Sequence, residues 1–87
     1  MLAFSLLLEA SVEVTAHLVK LGAAFAAVIA VFAAAWGIGK IGKSAIEAMA
    51  RQPENANDFR ASMIVASALI EGATFFAIVV CLLVLFI

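Results

Sequence analysis

The chain has 87 residues, of which 68% are hydrophobic and 13% charged, with a formal net charge of −1. So few polar side chains cannot coat a soluble domain, which makes the class membrane-embedded. The charge balance argues against a nucleic-acid or polybasic lipid partner, and the single cysteine, Cys81, rules out an intrachain disulfide or a cysteine metal site.

Residues 1–20 read as an N-terminal interfacial extension. Met1–Leu8 is apolar but has no basic n-region, and Glu9 and Glu13 stand where a signal cleavage site would fall, so a secretory signal is not expected. Glu9, Glu13 and His17 recur every fourth residue and share one helix face. That face reads as a solvated stripe; three such groups are a weak metal signal, and no metal or cofactor is expected.

The first transmembrane helix is expected over about 21–46, around the uncharged run Leu21–Gly39. It is sorted by size. Ala23, Ala26, Ala27, Ala30, Ala33, Ala34 and Gly37 fall on one face, and Phe25, Val28, Ile29, Phe32 and Trp36 on the other. Lipid supplies no hydrophobic drive between helices, so small residues that allow close backbone approach mark the packing face. A polar loop is expected over 47–58. Pro53 lacks an amide donor and restrains Gln52, which ends the helix there, and Asn57 or Asp58 is placed to cap the next one. Lys40, Lys43, Arg51 and Arg60 flank this loop, whereas Lys20 alone lies toward the termini. The positive-inside rule then puts the loop in the cytoplasm and both ends outside, as in a bacterial inner-membrane protein.

The second transmembrane helix is expected over 59–87. Within Ala61–Ile87, Glu71 is the only ionisable side chain apart from the Cys81 thiol. Counting about 1.5 Å per residue from Arg60 places it roughly 16 Å deep, near the midplane. A carboxylate there costs about 2.5 to 3.5 kcal/mol on insertion scales, so it is the candidate active group. No basic side chain of the hairpin is expected at matching depth. Ala66, Ala73 and Ala77 line one side of this helix, while Glu71 lies roughly opposite with Ile64, Ser67, Thr74, Phe75 and Ile78. The alanine side is expected to pack on the first helix with Glu71 pointing away. Two helices are too thin to enclose a pathway, so neighbouring copies or another subunit must complete the site, which points to an oligomer.

Ala50-Arg51-Gln52-Pro53-Glu54 at the turn, an acid 20 residues after that arginine and a small-residue first helix resemble the c subunits of F-type ATP synthases. The resemblance covers about Leu21 to Ile87. It implies an all-α membrane hairpin that assembles into a closed homo-oligomeric ring, first helix inside and second outside, with membrane lipid in the lumen. It further implies that Glu71 binds the proton, that a membrane stator subunit a offers two half-channels and an arginine, and that Arg51, Gln52 and Pro53 touch the central-stalk subunits gamma and epsilon. A neutral acid can cross lipid where an ionised one resists. Ring rotation would then drive ATP synthesis on other subunits. The chain itself has no phosphate loop, since Gly37-Ile38-Gly39 lacks the rest of that pattern, and no chemistry of its own.

The chain departs from the family's alternating glycines with Val31, Ala33, Ala35, Gly37 and Gly39, which widens the spacing expected of inner helices. Sodium-using relatives add side-chain oxygens where this chain has Ile38, Gly72 and Phe76, so the expected ion is H⁺. Ser67, Thr74 and the Leu69 carbonyl are the expected supporting groups, with Ile38 facing the same site. The rival readings are a vacuolar-type proteolipid, which fuses two hairpins, a small oligomeric channel, and an accessory subunit in which Glu71 is only an interhelical hydrogen-bond donor.

Overall fold

A computed structural model describes all 87 residues as two antiparallel helices, α1 (Leu2–Arg51) and α2 (Ala56–Phe86), joined by a single 3₁₀ turn, Pro53–Asn55. Both helices are long and apolar enough to cross a bilayer, with mean hydropathies of 2.2 and 2.6 in their most apolar stretches. Almost none of that apolar surface is buried within the hairpin, as expected of a membrane protein whose solvent is hydrocarbon.

The turn is tighter than the expected loop over 47–58. Glu47-Ala48-Met49-Ala50 are good helix formers and keep α1 wound to Arg51. Gln52 is the one fully non-helical residue of the reversal, with φ −132° and ψ 71°, because the ring of Pro53 disfavours the helical region for the residue before it. Its amide still bonds back to the Ala48 carbonyl at 2.9 Å, and the Asn55 amide then closes on the Gln52 carbonyl at 3.0 Å. Pro53 takes the first position of the new turn, where its missing N–H costs nothing. Asn57 and Asp58 therefore lie inside α2 and do not cap it. Asn55 holds the cap position, and its side-chain amide donates to Gln52 Oε1 at 3.1 Å instead of to the helix end.

The interhelical seam uses small residues at three- and four-residue steps. On α1, Ala23 and Ala34 are buried, and Ala27, Ala30, Gly37, Ile41, Ala45 and Ala48 are half-buried; on α2 the half-buried series includes Phe59, Met63, Ala66, Ile70, Thr74, Ala77 and Cys81. These steps average about 3.6 residues on α1 and about 3.7 on α2, close to the helix period, so one face of each helix stays against the other along the seam. The Ile70 side chain packs against the α1 backbone at Gly37, where a β-carbon would lie 3.4 Å from Ile70 Cδ1.

The interfacial extension over 1–20 and a first span over 21–46 are not separate elements. α1 runs unbroken for 50 residues, and the hairpin is 78 Å long but only 16 by 8 Å across. No proline interrupts the region, and Gly22 alone costs a helix only about 1 kcal/mol. α2 has 31 residues, so α1 overhangs it by 19, about 28 Å of upright helix. Within the overhang, Glu9, Glu13 and Lys20 fall where the seam would continue if α2 were longer. Polarity thus enters that face where α2 stops.

Candidate functional site: a lone carboxyl on one flank of the hairpin

The hairpin has two unlike flanks. One carries a shallow groove between the helices lined by Val31, Ala34, Ala35, Ile38, Glu71, Thr74, Phe75 and Ile78. A second groove continues it toward the turn through Ile38, Gly42, Met63, Ile64, Ser67, Ala68 and Glu71. Glu71 sits where the two meet and is exposed from the hairpin. The opposite flank is a smooth groove of Ala30, Ala33, Ala34, Ile70, Ala73, Thr74 and Ala77 with no ionisable group.

Position along α2 explains this placement. Glu71 follows the seam residue Ile70, and one residue rotates a helix by about 100°, a quarter-turn onto the flank. The expectation that Glu71 points away from α1 is therefore corrected. It lies beside α1, sharing its grooves with Val31, Ala34, Ala35, Ile38 and Gly42. Ala66 and Ala77 do lie half-buried at the seam, whereas Ala73 is exposed on the far flank.

Glu71 takes part in none of the hairpin's side-chain hydrogen bonds, nor in its one close ion-pair contact. The carboxyl is presented sideways to whatever packs there. Ser67 and Thr74 flank it one turn away on either side, and Ile38 faces it from α1. The Thr74 hydroxyl donates to the Ile70 carbonyl at 2.8 Å, so it meets Glu71 as an acceptor. Leu69 lines neither groove, and its side chain is 71% exposed on the other side of the helix. Arg51, Gln52 and Pro53 lie together, exposed, at the tip of the turn, about 25 Å along α2 from Glu71.

The structure also brings Lys40 near the level of Glu71, contrary to the expectation from the sequence. Ile38 lines both grooves of Glu71, and Lys40 follows two residues later, about 3 Å along the axis. Its Nζ turns back over the Trp36 ring, 5.4 Å from the centroid. The signal lies in the residue count, since Lys40 stands as many positions before Arg51 as Glu71 stands after Arg60. Farther out, Glu13 and His17 approach to 3.9 Å on the overhang, and Glu9 does not join them as a metal-binding cluster.

Known proteins are similar in sequence to most of this chain. The model of the ATP synthase C-subunit family matches residues 21–84. The ATP synthase c subunit of Phocaeicola vulgatus is 62% identical over 71 residues, covering 82% of this chain and 84% of that protein. That of Bacteroides thetaiotaomicron is 56% identical over 84 residues, 93% of this chain and 99% of that protein, so the similarity takes in most of the overhang as well. A more distant relative, the ATP synthase c subunit of Lactobacillus helveticus, is 48% identical over 66 residues, 76% of this chain and 86% of that protein. A helical hairpin with one mid-span carboxyl, matched along most of its length by these proteins, belongs to the ATP synthase C-subunit family.

Proposed function

We infer that the chain is the proton-carrying rotor subunit in the membrane sector of an F-type ATP synthase. The observation that carries the mechanism is the unpaired Glu71 carboxyl on one flank, opposite a flank of alanines. Two unlike flanks of one molecule favour head-to-tail association, and such an interface closes into a ring when the rotation per copy divides a full turn. In a ring built this way, α1 stands inside and α2 outside. The alanine flank of one copy covers part of the Glu71 groove of the next.

A carboxyl in that position serves as a carrier. In its neutral form it moves through hydrocarbon at modest cost, while its ionised form is confined to a polar or cationic partner. A membrane stator subunit a, offering an arginine between two aqueous half-channels, would accept the proton from Glu71 on one side and return another on the other. The ring then turns in one direction while protons flow. Ser67 and Thr74 supply hydroxyl oxygens near the bound proton, and Ile38 shields it from the α1 side. The exposed Arg51-Gln52-Pro53 tip is the contact for central-stalk subunits gamma and epsilon, which transmit rotation to subunits where ATP chemistry occurs. The chain itself is a transport component without a reaction of its own. Basic residues around the turn support a cytoplasmic position for it at a bacterial inner membrane, with both termini outside.

Glu71→Gln in the complete enzyme tests this reading. It keeps the side chain's size and polarity but cannot release a proton. Ring assembly should persist while proton-driven ATP synthesis falls to background, and hydrophobic carbodiimide, which reacts with protonated carboxyls, should no longer label the membrane span. A Glu71→Gln enzyme that still couples proton flow to synthesis would show that another group carries the ion.

A further inference from the structure

Lys40 has no role in the site described above. Its backbone stands two turns beyond Ala33, at the edge of the alanine flank, and its ammonium leans over Trp36 onto the face of the large residues Phe25, Ile29, Phe32 and Trp36, which are 60 to 67% exposed. These side chains belong in hydrocarbon. An ammonium among them is costly at mid-membrane, so an intramembrane lysine calls for a specific partner. No carboxylate lies within ion-pair distance of it in the hairpin.

Three features of this face define what that partner is. Phe32 and Trp36 stack with ring centroids 6.4 Å apart, and Lys40 Nζ sits 5.4 Å over the Trp36 ring, so the aromatic pair holds the cation in place. Lys43 follows three residues on and is exposed on the same side, nearer the turn. The next residue of that side is Glu47, on the turn side of Lys43, which leaves the two lysines as a cationic patch facing hydrocarbon between an aromatic floor and the membrane edge.

We propose that Trp36, Lys40 and Lys43 form a binding site for the phosphate of an anionic phospholipid, drawn inward from the leaflet on the turn side. Acyl chains lie along Phe25, Ile29 and Phe32, and the headgroup phosphate bridges the two ammonium groups. The leaflet thins locally to meet them, which is how bilayers accommodate a buried cation. The chain's overall charge of −1 gives no general attraction for anionic lipid, so selectivity would be confined to this face. The site belongs to the single hairpin and does not rest on rotor function.

Trp36 is the only tryptophan and there is no tyrosine, so emission from this chain reports on this face alone. The full chain is reconstituted in vesicles in which brominated phosphatidylglycerol or brominated phosphatidylcholine, with identical acyl chains, replaces unbrominated lipid. Quenching of Trp36 then gives the relative affinity of the two headgroups at that position. Phosphatidylglycerol should be favoured, and Lys40→Gln and Lys43→Gln should each reduce the preference by about fivefold, the worth of one basic residue near anionic lipid. Lys20→Gln, at the other end of the span, should leave it unchanged. Equal quenching by both lipids in the wild-type chain overturns the site without requiring any variant to fold. A preference that survives Lys40→Gln, or that falls equally with Lys20→Gln, also overturns it.

Discussion

Replacing Ala34 by leucine separates packing within one hairpin from packing between copies. Ala34 is 9% exposed, one of only two buried residues, and it borders both flanking grooves. Three added carbons have no space at the seam, where Gly37, one turn along, already brings a backbone within contact of Ile70. Overpacking of this kind costs about 1 to 3 kcal/mol, and in lipid no extra hydrophobic gain offsets it. The equilibrium between closed and separated helices should therefore shift by about 5- to 150-fold toward separation. The neighbouring change, Ala33→Leu, alters a residue exposed on the alanine flank and should shift that equilibrium by less than about 0.5 kcal/mol. Energy transfer from Trp36 to an acceptor on Leu69→Cys, in a Cys81→Ser background, measures the closure. Leu69 is 71% exposed and stands near the level of Trp36, so its label perturbs little. The transfer is followed as dodecyl sulfate replaces a mild detergent. Equal destabilisation by the two leucines would refute the assignment of Ala34 to the seam and Ala33 to the flank. Under the ring reading, Ala33→Leu instead lowers the yield of assembled rings.

Changing both Arg51 and Gln52 to alanine should leave rings intact but uncouple ATP hydrolysis from proton pumping, measured together in inverted vesicles; tight coupling in the double variant would exclude the turn as the stalk contact. Carbodiimide labelling of Glu71 should be indifferent to millimolar Na⁺ at fixed pH, because Ile38, Gly72 and Phe76 offer no side-chain oxygens to replace a hard cation's water, and protection by Na⁺ would reverse the ion assignment. Thr74→Val removes a hydroxyl whose proton is already given to the Ile70 carbonyl. It should leave the hairpin stable to within about 1 kcal/mol. A modest change in carbodiimide labelling rate is expected, and loss of labelling would show that Thr74 is an indispensable acceptor for the Glu71 proton.

Much of this molecule is legible in its residues taken in order. Two apolar runs long enough to span a bilayer, divided by a polar segment containing Pro53, specify a membrane hairpin, because hydrocarbon admits only helices whose backbone bonds are satisfied internally. Glu71 is conspicuous for the same reason: no other carboxylate stands in either apolar run, and the cost of burying one argues against an accidental placement. The size sorting of α1 shows which side admits another helix. It does not show how that side is divided. Ala23, Ala27, Ala30 and Ala34 turn inward to α2, while Ala26 and Ala33 remain exposed, because which part of the small-residue face is covered depends on where the second helix lies against it. Lys40 near the level of Glu71, Glu71 beside α1, and Asn55 at the cap all depend on how the two arms of the hairpin register. One non-helical residue, Gln52, and one 3₁₀ turn set that register, and composition contains no measure of it. The unbroken run of α1 past the end of α2 is likewise a tertiary result. A change in polarity near residue 20 suggests a break, whereas a helix ends only where its backbone geometry or its hydrogen bonds fail.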